Sequence, residues 1–273
     1  MKNVRLSPQV NAMKNKVTLS VIIIVQNEAH KIRTCLASVA DLADEIVVVD
    51  SGSSDATVAI AREFTQKVFT FEDWPGFGPQ KQRAQSLATG DWVFSIDADE
   101  VVSSSLAEEI RATVNRDERH RVYAVPRATW FFGRFIRHSG WYPDYVVRLY
   151  PREKTTFDSA LVHEKVVVPQ DMRSQSLHSD LLHFTIDSME QWVAKTARYA
   201  RVWADERAAR GRKSSLLKAV SHAVVYFLKT YFLKCGFLDG RSGLLLALLG
   251  AYSRLIKYAD LWSRTRALRP LDH

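Results

Sequence analysis

The amino-acid sequence predicts an α/β fold, an open and mostly parallel sheet flanked by helices, followed by a helical appendage. Three observations carry that expectation. The runs Leu19–Val25, Glu45–Asp50 and Trp92-Val-Phe-Ser-Ile96 are short, rich in β-branched residues and largely apolar. Continuous apolar runs of this length suit strands buried on both faces of a parallel sheet. Helical patterns separate them, and alternation of strand and helix argues for right-handed crossovers within one sheet. Each run also ends in a polar cluster: Gln26-Asn-Glu28, Asp50-Ser-Gly-Ser53 and Asp97-Ala-Asp99. Ligands of open α/β sheets bind beyond the carboxyl ends of the strands, so the three clusters describe one pocket.

The elements follow in order. Residues 1–16 read as a flexible basic extension. The run from Val17 to Val25 follows several lysines and superficially mimics a secretory signal core. It contains Thr18 and Ser20, ends in Gln26-Asn-Glu28 and has no small-x-small cleavage site, so a first strand is the better reading. Ile32, Leu36 and Val39 share one face of a first helix, with Cys35 as inert packing on that face. Asp55 can cap a second helix carrying Val58, Ala61 and Phe64. A third helix spans about residues 80–88 and is closed by Gly90. Ser105-Leu-Ala-Glu108 has the form of a capping box opening a fourth. The main domain is expected over 17–187, in halves 17–115 and 116–187.

Ser188-Met-Glu-Gln191 then opens a long basic helix that Gly211 ends. Leu216 to Leu233 is apolar but carries Lys218, His222 and Lys229 as a polar stripe opposite Val220, Ala223, Val224, Phe227 and Phe232. A second apolar stretch, Leu244 to Leu249, continues through Tyr252, Leu255 and Ile256. Neither offers the ~20 uninterrupted apolar residues of a spanning helix. Residues 190–273 hold sixteen Lys and Arg against six Asp and Glu, a surplus above the +8 of the whole chain. The positive charge is concentrated in this region. Two distant cysteines, Cys35 and Cys235, form neither a metal pattern nor a disulfide framework, which fits a reducing cytoplasm.

The chemistry-bearing residues start with Asp97 and Asp99. Residues i and i+2 of an extended backbone point the same way. Two carboxylates at a strand tip can therefore hold a hard cation; Mg²⁺ takes one or two carboxylates plus substrate phosphate oxygens. An isolated Asp-x-Asp is often only an acidic turn. The buried strand before this one and the two companion clusters set it apart.

Together, Ser20-Val-Ile-Ile-Ile-Val-Gln-Asn-Glu28, Val49-Asp-Ser-Gly-Ser-Ser-Asp-Ala-Thr57 and Ile96-Asp-Ala-Asp-Glu100 resemble the nucleotide-binding half of family 2 glycosyltransferases with the GT-A fold, over about residues 17–170. Trp74-Pro-Gly-Phe-Gly-Pro-Gln-Lys81, Gly140-Trp-Tyr-Pro-Asp144, Arg148-Leu-Tyr150, Val162-His-Glu164 and Gly236-Phe-Leu-Asp-Gly240 resemble the lipopolysaccharide core β-1,4-glucosyltransferase subgroup. The resemblance implies a GT-A type sheet in which 17–115 binds the nucleotide and 116–187 faces the acceptor. It implies a UDP-sugar donor, with Asn27 and Glu28 in the donor pocket and Asp50 and Ser51 where the family reads uracil. The commoner pattern there is Asp-Asp-Gly-Ser, and Ser51 departs from it. Lys81 falls where many relatives have an arginine facing the nucleotide. Asp97 is expected at the ribose or the metal's water shell and Asp99 on the metal, Mg²⁺ or Mn²⁺.

A nucleoside diphosphate leaves as an anion, which a divalent ion stabilises, and the acceptor hydroxyl needs a carboxylate to take its proton. A single displacement on an α-linked UDP-sugar gives a β-linkage. Glu164 is the favoured base and Asp144 the second candidate. His163 is a candidate metal or phosphate ligand, and Arg148 a candidate diphosphate contact. Trp130, Phe131 and Phe132 suit packing better than catalysis.

The basic, aromatic-rich C-terminal helices suggest an in-plane anchor on an anionic membrane surface, or a helical subdomain packed on the main domain. No recognition helix, zinc or base-stacking motif supports nucleic acid. The sequence thus leads to an inverting, metal-dependent glycosyltransferase on the cytoplasmic face of a bacterial inner membrane. By resemblance its donor is UDP-glucose and its acceptor a lipid-linked saccharide, an inner-core heptose of lipopolysaccharide. Transfer to a polyprenyl phosphate or another lipid-linked glycan is the alternative enzyme. A membrane-bound scaffold with an idle nucleotide fold is the non-enzymatic one.

Overall fold

The computed structural model describes residues 16–161 and 164–264. Of the extension expected over 1–16, only Lys16 falls among them; it pairs with Asp44. The first four strands are β1 (Leu19–Val25), β2 (Glu45–Asp50), β3 (Val68–Thr70) and β4 (Trp92–Ser95). They lie side by side in the order β3-β2-β1-β4, all parallel. Every residue of β1 is buried. Val21, Ile23 and Val25 pack with Ile32, Leu36 and Val39 on one face. Ile22 and Ile24 pack with Val47, Val49 and Ala84 on the other. Both faces are thus covered, as a continuous apolar run requires. Cutting Ile22 or Ile23 to Ala costs about 2–5 kcal/mol by the usual cavity rule.

The helices of this half are α1 (Ile32–Val39), α2 (Thr57–Arg62), α3 (Phe77–Leu87) and α4 (Ser104–Arg116). The predicted α1 face, including Cys35, is the buried one. Asp55 stands one residue before the cap position, which Ala56 takes; its Oδ1 accepts from Thr57 N, the first amide of α2, at 3.0 Å. Two starts differ from expectation. α3 begins at Phe77 rather than near residue 80, because Gly76 takes φ +109° and turns the chain into the helix. α4 is capped by Ser103, whose Oγ accepts from Leu106 N, so Ser105 and Glu108 sit inside the helix rather than forming its box.

The later strands are β5 (Glu100–Val102), β6 (Arg121–Phe131), β7 (Arg134–Phe135), β8 (Asp144–Pro151), β9 (Thr156–Phe157), β10 (Val166–Val167), β11 (Arg173–Ser176) and β12 (Leu181–His183). β8 inserts antiparallel between β4 and β6, and the sheet continues to β12 and β5. β11 and β12 run parallel to β6. β9 and β10 form a separate two-stranded ribbon. The mostly parallel GT-A type sheet is therefore the observed one, with antiparallel strands confined to its second half.

The appendage consists of α5 (Met189–Ala209), α6 (Leu216–Leu228) and α7 (Gly240–Arg264). Ser188 caps α5 as expected, and Gly211 at φ +67° follows its end. A π turn over Lys229–Leu233 and a 3₁₀ turn over Gly236–Asp239 link α6 to α7. The appendage is seated on the main domain. Phe131, Ile136 and Leu246 form a third buried cluster with Trp141, Trp192 and Phe132 around it. The Asp239 carboxylate, fully buried, accepts from the backbone N–H of Arg137 and His138.

α6 has three faces. Ala219 and, in the π turn, Thr230 are buried. Lys218 and His222 turn toward Tyr258 of α7; the His222 ring stacks on it at 4.1 Å. Leu217, Val220, Val224 and Leu228 are exposed, Leu217 by 81%. Contrary to the expectation above, the stretch Leu216–Leu233, of mean hydropathy 1.2, is long and apolar enough by length and composition to cross a membrane, and 11% of it is buried.

Candidate active site

Strand pairing brings the polar clusters together before any side chain is considered. β4 and β8 pair with Phe94 opposite Leu149, so Arg148 lies at the end of that ladder beside Asp97. β12 and β5 pair with His183 opposite Glu100, and Phe184 N–H donates to the Asp99 carbonyl at 2.8 Å. His183 thereby meets the Asp99 carboxylate, Nε2 to Oδ2 3.4 Å. Its Nδ1 lies 3.3 Å from Thr129 Oγ1 on β6, which holds the ring's orientation.

Asp97 and Asp99 are not equivalent. Asp97 Oδ1 accepts from Lys81 Nζ at 2.8 Å and Oδ2 from Arg148 Nη2 at 2.5 Å. Burial alone would raise its carboxyl, but Arg148 and Lys81 hold it far below the ordinary carboxylate range. Both oxygens that the sequence offered to a metal are engaged by cations. Asp99 keeps one partner, His183; burial opposes and His183 favours its ionised form, and the net result is a lowered pKa.

Asp97 belongs to a longer chain. Lys81 also reaches Glu164 Oε1 at 2.7 Å. Arg148 also reaches Glu100 Oε1 at 2.5 Å. Glu100 meets Arg127 at 3.5 Å, and Arg127 meets Asp144 at 2.5 Å. Seven groups of alternating sign thus run from Glu164 to Asp144, the two candidate bases standing at its ends. Lys81 and Arg148 are only 4% exposed. Arg148 thus bridges the part-exposed Asp97 and the buried Glu100, and Lys81 is held between Asp97 and Glu164.

The loop residues show a similar economy. Asp50 is buried and accepts from the N–H of Gly52 and Ser53 at 3.1 Å, so it shapes its own turn. Ser51 Oγ accepts from Gln80 Nε2 at 2.8 Å. Asn27, at φ +55°, accepts from Ser54 N and binds the first loop to the second. Glu28 differs: its Oε2 is buried without a hydrogen-bond partner among the described residues. Burial raises its carboxyl, against Lys31 and together with Asp99. His163, and Val162 before it, lie outside the described residues. Glu100, Arg127 and His183 were missed by sequence reasoning.

Three adjoining cavities surround these groups. One of about 350 Å³ is lined by Gln26, Glu28, Trp74, Asp97, Asp99 and His183. One of about 640 Å³ holds Lys81, Arg148, Glu164, Tyr145, Lys165 and Tyr199. One of about 400 Å³ holds Arg127, Asp144, His183 and Lys195. The Gly76–Gly78 turn closes the first two: a Cβ on Gly78 would lie 2.1 Å from the Asp158 carbonyl, so α3 packs backbone to backbone on the segment before Glu164.

Among the described residues, no three His, Cys, Asp or Glu side chains are grouped to hold an ion unaided. The donor set nevertheless fits a divalent ion that takes its remaining ligands from a substrate diphosphate. Asp99 supplies a carboxylate and His183 an imidazole, while the partnerless Glu28 oxygen lines the same cavity.

The family described as glycosyl transferase family 2 matches residues 20–169. An uncharacterized glycosyltransferase of Rickettsia bellii is 30% identical over 252 residues, 89% of this chain and 85% of the relative. The lipopolysaccharide core biosynthesis glycosyltransferase LpsC of Rhizobium meliloti is 30% identical over 259 residues, 91% and 93% of the two chains. Among solved structures, S. aureus TarS 1-349 with UDP-GlcNAc aligns with 90% of this chain and 91% of its own, at 16% identity and a TM-score of 0.47. Glucosyl-3-phosphoglycerate synthase of Mycobacterium tuberculosis, with Mn²⁺ and UDP-glucose, aligns with 42% and 44% at 25% identity and a TM-score of 0.35.

Proposed function

The chain belongs to glycosyl transferase family 2, and within that family we propose that it moves glucose from UDP-glucose to an inner-core heptose of lipopolysaccharide, forming a β-linkage. The observation that carries this reading is the meeting of two strand-end clusters with His183 in one cavity, Gln26 and Glu28 beside Asp97 and Asp99, next to a cavity walled by Glu164; the third cluster is tied to the first by Asn27 and Ser54. The lipopolysaccharide acceptor rests on the likeness to LpsC along nearly the whole of both chains.

Mg²⁺ or Mn²⁺ would be held by Asp99 and His183, and supplies positive charge to the leaving diphosphate. Asp97, fixed by Lys81 and Arg148, orients the donor's ribose edge. Asp50 shapes the Gly52–Ser53 turn that receives the base. Lys81 changes partners: a donor diphosphate competes with Glu164 for its ammonium. Glu164 is then freed from its cation and takes the acceptor hydroxyl's proton as that oxygen attacks the anomeric carbon and the bond to the diphosphate breaks.

A second reading is favoured by one observation. Both candidate bases are ion-paired, Glu164 with Lys81 and Asp144 with Arg127. A phosphate acceptor, such as a polyprenyl phosphate, is already ionised and needs no base.

The proposal includes a location at the cytoplasmic face of the inner membrane; what supports it is the apolar face that α6 exposes within a strongly basic region, where a lipid-linked acceptor would be met. The test is UDP-glucose turnover by the purified chain with Mg²⁺, against heptose-terminated core lipid and polyprenyl phosphate in parallel. Glucose β-linked to heptose, lost in Glu164→Gln, supports the first reading. Transfer to polyprenyl phosphate alone, surviving loss of both Glu164 and Asp144, replaces it with the second.

A further inference from the structure

A fourth cavity, of about 170 Å³, lies apart from the strand-end site, where α5, α6, α7 and the Trp141 turn meet. Trp141, Trp192, Tyr226, Ser253, Arg254 and Lys257 line it. Its cations are unusual in their partners. The Arg254 guanidinium lies over the Tyr226 ring at 5.0 Å, and nearby Arg207 lies over Trp203 at 4.0 Å. Two acids of these helices are used elsewhere: Asp205 and Asp260 both bind Arg264. Among the described residues no carboxylate comes within 4 Å of Arg207, Arg254 or Lys257.

The cavity is also built, not incidental. Tyr226 packs onto the α7 backbone at Gly250, where a Cβ would meet its ring at 2.1 Å. Glycine at that position lets the ring seat, and the ring in turn supports Arg254. Rings hold cations at modest strength and leave their hydrogen-bond donors free. Burial, then Arg254 and Arg207, lowers the pKa of the Lys257 ammonium, as expected of a cation gathered with others and lacking an acid.

We propose that this cavity is a phosphate site that takes the phosphate of an anionic lipid headgroup. A guanidinium fork, an ammonium and the Ser253 hydroxyl supply the donors that a phosphate's oxygens accept. The volume is below the ~300 Å³ typical of a small-molecule pocket, which suits a headgroup phosphate rather than a sugar nucleotide. The lipid source follows from the exposed apolar face on the same α6 that supplies Tyr226, and so rests on the membrane reading above; the phosphate chemistry does not.

The test uses the full chain and two charge-matched variants, Arg254→Gln with Lys257→Gln in the cavity, and Arg210→Gln with Arg212→Gln in the α5–α6 connection. Binding is measured to vesicles of phosphatidylcholine with and without phosphatidic acid, and thermal stabilisation is measured with inorganic phosphate. Each basic residue near an anionic surface contributes about 1 kcal/mol, so the control pair loses at most ~30-fold. The cavity pair is expected to lose at least ~10-fold more than the control, and its phosphate-induced rise in Tm, while binding to neutral vesicles is unchanged. Phosphate stabilisation lost only in the cavity pair, with no vesicle binding by the wild type, keeps the site but assigns it to a soluble phosphate and removes the membrane reading. Equal losses in the two variants on vesicles, with no phosphate effect, overturn the proposal. Lys257→Gln alone serves if the double variant melts early without ligand.

Discussion

The strand-end site and the helical appendage neutralise their charges in opposite ways. Around Asp97, each cation is matched to carboxylates, and the run from Glu164 to Asp144 ends in a carboxylate on each side with Arg148 and Glu100 buried at its centre. In the appendage, Arg207, Lys218 and Arg254 rest on aromatic rings, and a row of apolar side chains faces outward. The first arrangement is complete within the chain and can change only by exchanging one partner for a ligand. The second leaves ring-held cations and an apolar row at the surface. The difference teaches where each proposed partner would enter: in the site by displacing an internal ion pair, on the appendage by covering an exposed surface.

The largest effect expected is on Asp99. Its Asp99→Asn variant should lose about 10³-fold or more in kcat, since a metal's charge stabilisation is worth several kcal/mol and each 1.36 kcal/mol is tenfold. Its melting temperature should stay near wild type, because Asp99 stands outside the seven-group chain. Full activity in steady-state assays with Mg²⁺ would remove Asp99 and His183 from the donor site.

Arg148→Met attacks the chain itself. It leaves Asp97 and Glu100 without their shared cation, and removing one partner of a buried pair costs about 3–5 kcal/mol. Denaturant unfolding measures it. A loss under about 1 kcal/mol would mean that water or rearrangement already relieves these acids, and the contrast between the two regions would fail.

A smaller effect tests the far end of the sheet. Glu45 pairs with Lys67 and accepts from Ser20 Oγ and Thr89 N. Burial opposes these contacts, yet the carboxyl falls to about 2 from its ordinary 4.5. A depressed carboxylate stabilises the fold fully above its unfolded pKa, and the contribution fades as pH falls toward 2. Glu45→Gln should therefore cost about 3 kcal/mol near pH 7 and progressively less between pH 4.5 and 2. A penalty constant across that window would show that shape, not charge, makes the contact.

Much of this was legible in the sequence and some was not, for reasons that can be named. The strands, the α1 face and the meeting of three polar clusters follow from local pattern, because parallel strands place their carboxyl ends together. The chain of ion pairs does not. Glu100 lies beside Asp97 through a local turn, its Oε2 accepting from Asp97 N–H, but Arg148 and Arg127 sit on β8 and β6, and only the order β4-β8-β6-β12-β5 brings them to these two acids. His183 ends a three-residue strand with no periodicity of its own, and becomes visible through its pairing with β5. Ser103 and Ser105 are both plausible caps; the choice is made by Asp180, whose carbonyl accepts from Ser103 Oγ at 2.8 Å. On α6 the polar stripe was readable, but not that it turns toward Tyr258 and leaves the apolar face outside.

That outward face gives the smallest effect on stability and the most direct probe of the appendage. Val220 and Val224 are each 50% exposed. Replacing both with Asp should change unfolding free energy by no more than about 0.5 kcal/mol per site, as for ordinary surface positions. If the face lies in a membrane interface, the same change puts two carboxylates among anionic headgroups and removes apolar area, so co-sedimentation with anionic vesicles should fall at least tenfold. Reduced stability with unaltered vesicle binding would mean that α6 packs against protein there. The appendage would then be as self-sufficient as the site, with its cations on rings because nothing else is needed.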